Sequence, residues 1–128
     1  RDLTACPDLA QTMVATCCAL NVPFRFRGLH SLRIKETDRM SALVTELRKF
    51  GYVVEEHDDS VLEWKGLRCK SQMIPEVDTY EDHRMAMSLA PCACVSNGAV
   101  INDAQVVSKS YPQYWHDIMS VGVEIKEL

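Results

Sequence analysis

The first apolar stretch of the chain, residues 8–20, predicts a helix buried on several sides, because nearly every position after its first turn is apolar. Asp8 is placed to cap the N-terminus of this helix, and Gln11 three residues later completes a capping-box-like pair. Residues 24–29 then alternate apolar and basic side chains, which predicts a strand with one buried face. The chain therefore opens with a helix followed by a strand.

The clearest helical pattern covers about residues 36–50. Its apolar side chains recur with the i, i+3, i+4, i+7 spacing of one helix face, at Met40, Leu43, Val44, Leu47 and Phe50. Acidic residues in its first turn and basic residues in its last suit the helix dipole, and Gly51 is placed to end it. Two short runs at 52–56 and 61–64 then predict a hairpin.

The second half of the chain repeats this order. Residues 82–94 predict a helix that Pro91 should kink or shorten, since proline removes a backbone hydrogen bond. A strand at 99–102, a helix at 112–120 and a closing strand at 121–126 follow. The order helix–strand–helix–strand thus occurs twice, with an added strand in the first copy. It predicts an α/β (α+β) fold with helices packed on small sheets.

A separation of 74 residues relates the two halves. Asp8 and Asp82 each begin an apolar helix, and Lys35 and Lys109 each follow a short β-like run. Such self-similarity indicates one supersecondary unit used twice. Copies stacked side by side would bring their charged corners to one rim, where an anionic ligand could bind.

Composition limits the possible functions. The 128 residues are 47% hydrophobic and 25% charged, which is ordinary for a globular domain. The net charge of −4 argues against general nucleic-acid binding, which depends on excess Lys and Arg. There is no apolar run of membrane-spanning length and no signal-peptide pattern. We therefore expect neither nucleic acid nor membrane as a partner. Because the chain starts at Arg1, we also expect it to be part of a longer protein.

The six cysteines form no CxxC pair, and the four histidines complete no zinc-finger spacing with them. Four of the cysteines lie in apolar helical stretches, at Cys17, Cys18, Cys92 and Cys94. These are expected to be buried, reduced thiols acting as small hydrophobic side chains. A reducing compartment such as the cytoplasm follows.

Charged residues gather at or just before the predicted helix starts. The clusters are Asp8, residues 35–39, residues 82–84 and Lys109-Ser110. Helix N-termini offer unpaired N–H groups and the positive end of the dipole, so they bind phosphate readily. Arg39, Arg84 and Lys109 would together hold a phosphate and a carboxylate. Asp8 and Glu36 would supply carboxylates for proton transfer beside these cations.

The same residues also have structural interpretations. Asp8 and Asp82 could be N-caps only, and residues 35–39 could form an exposed, salt-bridged first turn. From the residues alone, the chain is an anion-binding α/β repeat.

Three strings of the sequence carry a family resemblance. They are RIKETDR at 33–39, DHRMAM at 82–87 and KSYP at 109–112. In this order they strongly resemble the C-terminal part of the EPSP synthases (3-phosphoshikimate 1-carboxyvinyltransferases), and Pro7-Asp8 before a small-residue helix also matches that family. The related UDP-N-acetylglucosamine enolpyruvyl transferases share the fold but not these strings. The resemblance runs over essentially the whole chain.

The resemblance implies an enolpyruvyl transferase-like fold, in which two domains, each of three βαβαββ-type units, close over the substrates. Residues 1–128 would then be a partial C-terminal domain. Its two internal repeats would cover about residues 1–65 and 66–128. The N-terminal domain and one further unit would be absent from this chain.

The resemblance also implies a reaction, namely transfer of the enolpyruvyl group of phosphoenolpyruvate to the 5-hydroxyl of shikimate 3-phosphate with release of phosphate. This is a step of aromatic amino-acid synthesis in the shikimate pathway and needs no cofactor or metal. By motif, the implied catalytic residues are Asp8, Lys35 and Glu36; the phosphoenolpyruvate ligands are Arg39, Arg84 and Lys109; and the shikimate 3-phosphate ligands are Asp8, Ser31 and Lys35. The fragment alone is expected to be inactive. The alternative is a non-catalytic anion-binding α/β repeat module.

Overall fold

The computed structural model describes residues 1–34, 38–96 and 98–126. Within these ranges the helices are α1 (Ala10–Ala19), α2 (Arg39–Lys49), α3 (His83–Leu89) and α4 (Tyr114–Ser120). The strands are β1 (Phe24–Phe26), β2 (Glu55–His57), β3 (Val61–Trp64), β4 (Glu76–Val77) and β5 (Val100–Ile101). Short 3₁₀ turns cover Pro7–Leu9, His30–Ile34, Ala90–Val95 and Ala104–Val107.

The strands form two small sheets. The first is antiparallel with the order β1-β3-β2, so that β3 pairs on both sides, and Phe24 lies opposite Trp64. The second is parallel and contains β4 and β5, with Val77 opposite Ile101. The predicted fold class is therefore confirmed: the chain is mixed α/β, with helices against small mixed sheets.

A single hydrophobic core joins α1, α2 and α3 to the three-stranded sheet. The predicted apolar face of α2 is confirmed, since Met40, Leu43 and Leu47 are fully buried. Trp64 is also buried, and its indole N–H donates to the Leu67 carbonyl at 2.8 Å. No helix among the residues that the structure describes is long and apolar enough to cross a membrane.

The start of the first helix differs from the prediction. Pro7 opens a 3₁₀ turn that includes Asp8, and α1 begins only at Ala10 with no side-chain cap. The capping-box prediction for Asp8 and Gln11 is therefore wrong. The cause is tertiary packing: Gln11 is fully buried at the contact between α1 and α3, where its Nε2 donates to Met85 Sδ at 3.2 Å. These two residues are 74 positions apart.

The second helix begins later than predicted. It starts at Arg39, and Asp38 caps it by accepting a hydrogen bond from the Ser41 backbone N–H at 3.2 Å. Residues 35–37 lie outside the described residues. Gly51 follows the helix with φ +94°, and a Cβ there would lie 2.9 Å from the Cys69 carbonyl oxygen. Glycine is therefore required both by conformation and by space.

The third helix confirms the expected effect of Pro91. α3 ends at Leu89, and the chain continues as the 3₁₀ turn Ala90–Val95 with proline near its start. Cys92 in this turn is buried, and burial raises its pKa to about 12, as it does for Cys18. Cys94 is exposed and Cys17 only half-buried, so the prediction that both are buried is wrong. Cys94 follows Cys92 by two residues, so on a helical segment it points away from the face that Cys92 buries.

Two strand predictions also need correction. The closing strand predicted at 121–126 is absent from the described structure, where a turn at 121–122 is followed by irregular chain and Val121 is 79% exposed. A strand needs a neighbour for its backbone hydrogen bonds, and none of the described segments supplies one there. Conversely, β4 was not predicted. Its Val77 is buried, whereas the apolar Met73 nearby is 84% exposed.

Candidate functional site

Three helical segments start at one place in the structure, and each brings a charged side chain. Asp8 lies in the 3₁₀ turn before α1, Arg39 is the first residue of α2, and Asp82 is the N-cap of α3. Arg84 follows in the first turn of α3. Hydrogen bonds join all four residues, so the sequence-predicted Asp8, Arg39 and Arg84 do lie together.

The centre of this cluster is the ion pair between Arg39 and Asp82. Arg39 Nε donates to Asp82 Oδ2 at 2.7 Å, and Nη2 donates to Oδ1 at 3.2 Å. The two side chains are only 2% and 0% exposed. A buried pair of this kind must recover the cost of desolvating both charges, which the two parallel hydrogen bonds help it to do.

Asp8 connects this buried pair to the surface. Its Oδ1 lies 3.4 Å from Arg39 Nη1, yet its side chain is 47% exposed. Its backbone carbonyl accepts from Arg84 Nη1 at 3.3 Å. The Asp8 carboxylate is thus accessible to a small molecule while it stands beside a fixed guanidinium.

Asp82 has a second contact, which the sequence did predict. Its Oδ1 accepts from the Arg84 backbone N–H at 2.9 Å, as an N-cap does. Sequence reasoning missed its role as partner of Arg39, which lies 43 residues away. The available signal was indirect: an Arg placed at a helix start against an apolar face needs a carboxylate if it is to be buried.

A second ion-pair network is centred on Arg33 and includes Asp38, the N-cap of α2. Arg33 contacts Asp38 at 2.8 Å, Glu56 at 2.8 Å and Asp59 at 3.3 Å. Burial disfavours the charged form of Asp38, but the hydrogen bonds from Arg33 and from the Ser41 backbone outweigh it, so the pKa of this carboxyl lies below its usual range. The predicted catalytic residues Lys35 and Glu36 themselves lie outside the described residues.

The other two predicted site residues are less closely connected. Ser31 is half-buried in the 3₁₀ turn His30–Ile34, which packs against the turn that carries Asp8. Lys109 is exposed just after the turn Ala104–Val107, which packs against α3. Within the described part of the chain, no hydrogen bond or ion pair joins either residue to the Arg39–Asp82 pair.

The arrangement has the chemistry of an anion site with an acid beside it. Guanidinium groups match carboxylate and phosphate oxygens bidentately, and the start of a helix adds unpaired N–H groups and a positive dipole end. The half-exposed Asp8 supplies a group that can accept or donate a proton at the edge of this positive region.

Comparison with known proteins identifies the family. A family model for EPSP synthase (3-phosphoshikimate 1-carboxyvinyltransferase) matches residues 1–118. This is a family of transferases, and the chain belongs to it.

Individual relatives agree with this assignment. The chain is 55% identical over 125 residues to a 3-phosphoshikimate 1-carboxyvinyltransferase of Bacteroides fragilis, covering 98% of this chain and 30% of the relative. It is 40% identical to one of Methanopyrus kandleri (97% and 28%) and 39% identical to a chloroplastic one of Arabidopsis thaliana (85% and 20%). The chain therefore spans less than a third of the length of these relatives.

Proposed function

We propose that this chain forms part of an enzyme that transfers the enolpyruvyl group of phosphoenolpyruvate to the 5-hydroxyl of shikimate 3-phosphate, with release of phosphate. The observation that carries the proposal is the cluster of Asp8, Arg39 and Arg84 at converging helix starts, in a chain that belongs to the EPSP synthase family. The chain would contribute one wall of the substrate cleft, because it covers only about 30% of its relatives.

Phosphoenolpyruvate carries a phosphate and a carboxylate, and both need cationic partners. Arg39, Arg84 and Lys109 are assigned to it. Arg39 is already fixed by Asp82, so its orientation is set before substrate arrives. Arg84 and Lys109 are more exposed and would close on the anion from the side of α3.

The proton transfers are assigned to carboxylates. Addition of the 5-hydroxyl to phosphoenolpyruvate needs a proton delivered to the methylene carbon and gives a tetrahedral ketal phosphate. Elimination removes a proton from the resulting methyl group and expels phosphate. Asp8 would act at the hydroxyl and Glu36 at the carbon, with Lys35 beside the reacting hydroxyl. Asp8, Ser31 and Lys35 are assigned to shikimate 3-phosphate. No step of this mechanism uses a metal or a cofactor.

The rest of the cleft would come from the parent protein. We assign residues 1–65 and 66–128 to two repeat units of the C-terminal domain, and we expect an N-terminal domain to close over the substrates and exclude water. All six cysteines are free thiols, which supports a reducing compartment such as the cytoplasm. Nucleic acid and membranes are not expected partners.

The test compares this chain with its parent protein. Phosphate release from phosphoenolpyruvate is measured with and without shikimate 3-phosphate, and we expect turnover by the parent only when both substrates are present. The isolated chain should show none, because an open half-site cannot exclude water. Arg48→Ala in the parent is the control for loss of a positive charge. It removes a cation from the exposed far end of α2, so turnover should be unchanged. Binding of phosphoenolpyruvate by the parent without turnover would instead establish a non-catalytic anion-binding module.

A further inference from the structure

Glu46 is a buried acid that the proposed reaction does not use. It lies on α2, seven residues after Arg39 and therefore two turns along the same face, and its side chain is 0% exposed. Its Oε1 accepts from Lys49 Nζ at 2.7 Å and from the Asp78 backbone N–H at 2.8 Å. Its Oε2 accepts from the Tyr80 hydroxyl at 2.6 Å. A buried carboxylate needs such partners to offset the loss of its hydration. Because two of them belong to Asp78 and Tyr80, Glu46 holds residues 78–80 against α2.

The segment held by Glu46 is conformationally strained. Tyr80 has φ +56° and Glu81 has φ +55°, both in the left-handed region that side chains with a Cβ disfavour. Such conformations persist only where the surrounding structure holds them, and they often occur near functional sites. The next residue is Asp82. The segment 80–82 is thus attached to α2 at two points, at Glu46 through the Tyr80 hydroxyl and at Arg39 through the Asp82 carboxylate.

We propose that Tyr80 and Glu46 are positioning residues, whose hydroxyl–carboxylate bond holds residues 80–82 on the strained path that presents Asp82 to Arg39. This inference rests on the proposed function, because Arg39 and Arg84 are the side chains assigned to phosphoenolpyruvate. Asp82 contacts both residues: it binds the Arg39 guanidinium and caps the backbone N–H of Arg84 at the start of α3. A displaced Asp82 would therefore disturb the phosphoenolpyruvate site first.

The hydroxyl remains a donor in this environment. Burial raises the pKa of Tyr80, and the adjacent Glu46 carboxylate raises it further. Lys49 remains a cation, because its hydrogen bond to Glu46 and the nearby Asp78 outweigh its burial and raise its pKa. At neutral pH the Tyr80 hydroxyl and the Lys49 ammonium therefore both donate hydrogen bonds to the Glu46 carboxylate.

The test is a steady-state comparison in the parent protein. Tyr80→Phe removes only the hydroxyl, and we expect the KM for phosphoenolpyruvate to rise about tenfold, which corresponds to loss of one hydrogen bond to a charged group. The KM for shikimate 3-phosphate should change less than twofold. Tyr114→Phe is the matched control, because the Tyr114 hydroxyl also supports α3, donating to the Met87 carbonyl at 2.9 Å, but lies outside segment 80–82. It should leave both KM values unchanged.

A second variant covers the risk that Tyr80→Phe destabilises the fold by leaving Glu46 short of a donor. Glu46→Gln keeps nearly the same shape without a charge, and we expect the same selective rise in the KM for phosphoenolpyruvate. A lower melting temperature with both KM values unchanged, or failure of both variants to fold, assigns the pair to fold stability alone and overturns the inference. An inactive wild-type parent protein refutes the proposed function, whereas an active wild type with unaltered variants refutes only the positioning role.

Discussion

The guanidinium of Arg39 binds both carboxylate oxygens of Asp82, and both side chains are shielded from solvent. The pair joins the start of α2 to the start of α3. The Asp82 carboxylate also caps α3, so this one side chain supports both the start of α3 and the buried charge of Arg39. Removing either partner would leave the other charge buried without its main counter-ion, which is far more costly than losing a surface salt bridge.

Asp82→Ala should therefore destabilise the parent protein by about 3–5 kcal/mol, the usual cost of breaking a buried pair. Asp82→Asn keeps a capping side chain and one acceptor for Arg39, so it should be less destabilising. The measurement is the urea unfolding midpoint of both variants. Equal midpoints for wild type and Asp82→Ala would show that the pair contributes nothing to stability.

Much of the helical framework could be predicted from the sequence. The period of α2, its terminating Gly51 and the shortening of α3 by Pro91 depend on local rules, so the residues themselves specify them. The parallel sheet could not be predicted in this way. Strand β5 lies within the strand predicted at 99–102, but β4 has only two residues, too few for a periodic pattern, and it forms by pairing with β5.

The candidate site likewise combines residues that local sequence rules predicted with contacts that only tertiary packing explains. Charge and position at helix starts led to Asp8, Arg39 and Arg84, which the structure brings together. The partnership of Arg39 with Asp82 could not be predicted locally, because it arises from packing between helices 43 residues apart in sequence. The assumption that Asp8 caps a helix failed for a related reason, since burial of neighbouring residues at the α1–α3 contact decides where α1 begins.

Arg84→Ala in the parent protein should weaken use of phosphoenolpyruvate much more than it weakens folding. Arg84 is only partly buried, and among the described residues its side chain makes one hydrogen bond, to the Asp8 carbonyl. Loss of a charge-assisted contact to the substrate should cost about 1.5–3 kcal/mol in apparent affinity. Lys109→Ala should behave similarly, with an even smaller effect on stability because this residue is exposed. Titration with phosphoenolpyruvate checks both variants, and wild-type affinity in either would remove that residue from the anion site.

Asp8→Asn should abolish most of the activity with little loss of stability. The side chain does not cap α1 and is half-exposed, and asparagine keeps an oxygen that can accept a hydrogen bond from Arg39. If Asp8 transfers a proton, kcat should fall about 10²–10⁴-fold, and Glu36→Gln should give a similar loss. Melting temperatures are measured on the same samples, so that a rate loss can be separated from unfolding. Near-wild-type kcat in a stable Asp8→Asn protein would limit Asp8 to a structural role.

The last prediction concerns Asp38, the cap of α2 beside the stretch that contains Lys35 and Glu36. Although burial opposes its ionisation, hydrogen bonds from Arg33 and from the Ser41 backbone lower its pKa. A carboxyl whose pKa is lower in the folded than in the unfolded protein stabilises the fold at pH values above its ordinary pKa of about 3.9. This stabilisation is lost as the pH falls through the folded-state pKa.

Asp38→Asn keeps the cap and removes the charge, so at pH 7 it should cost less than about 1 kcal/mol, because the side chain is 39% exposed and solvent screens the pair. Asp38→Ala should cost about 1 kcal/mol more, since the cap is lost as well. Urea unfolding midpoints at pH 7 and pH 3 check both expectations. The difference in unfolding midpoint between wild type and Asp38→Asn should be smaller at pH 3 than at pH 7. The further decrease in midpoint from Asp38→Asn to Asp38→Ala should be the same at both pH values. A gap that stays constant between the two pH values would mean that the charge of Asp38 does not support this end of α2.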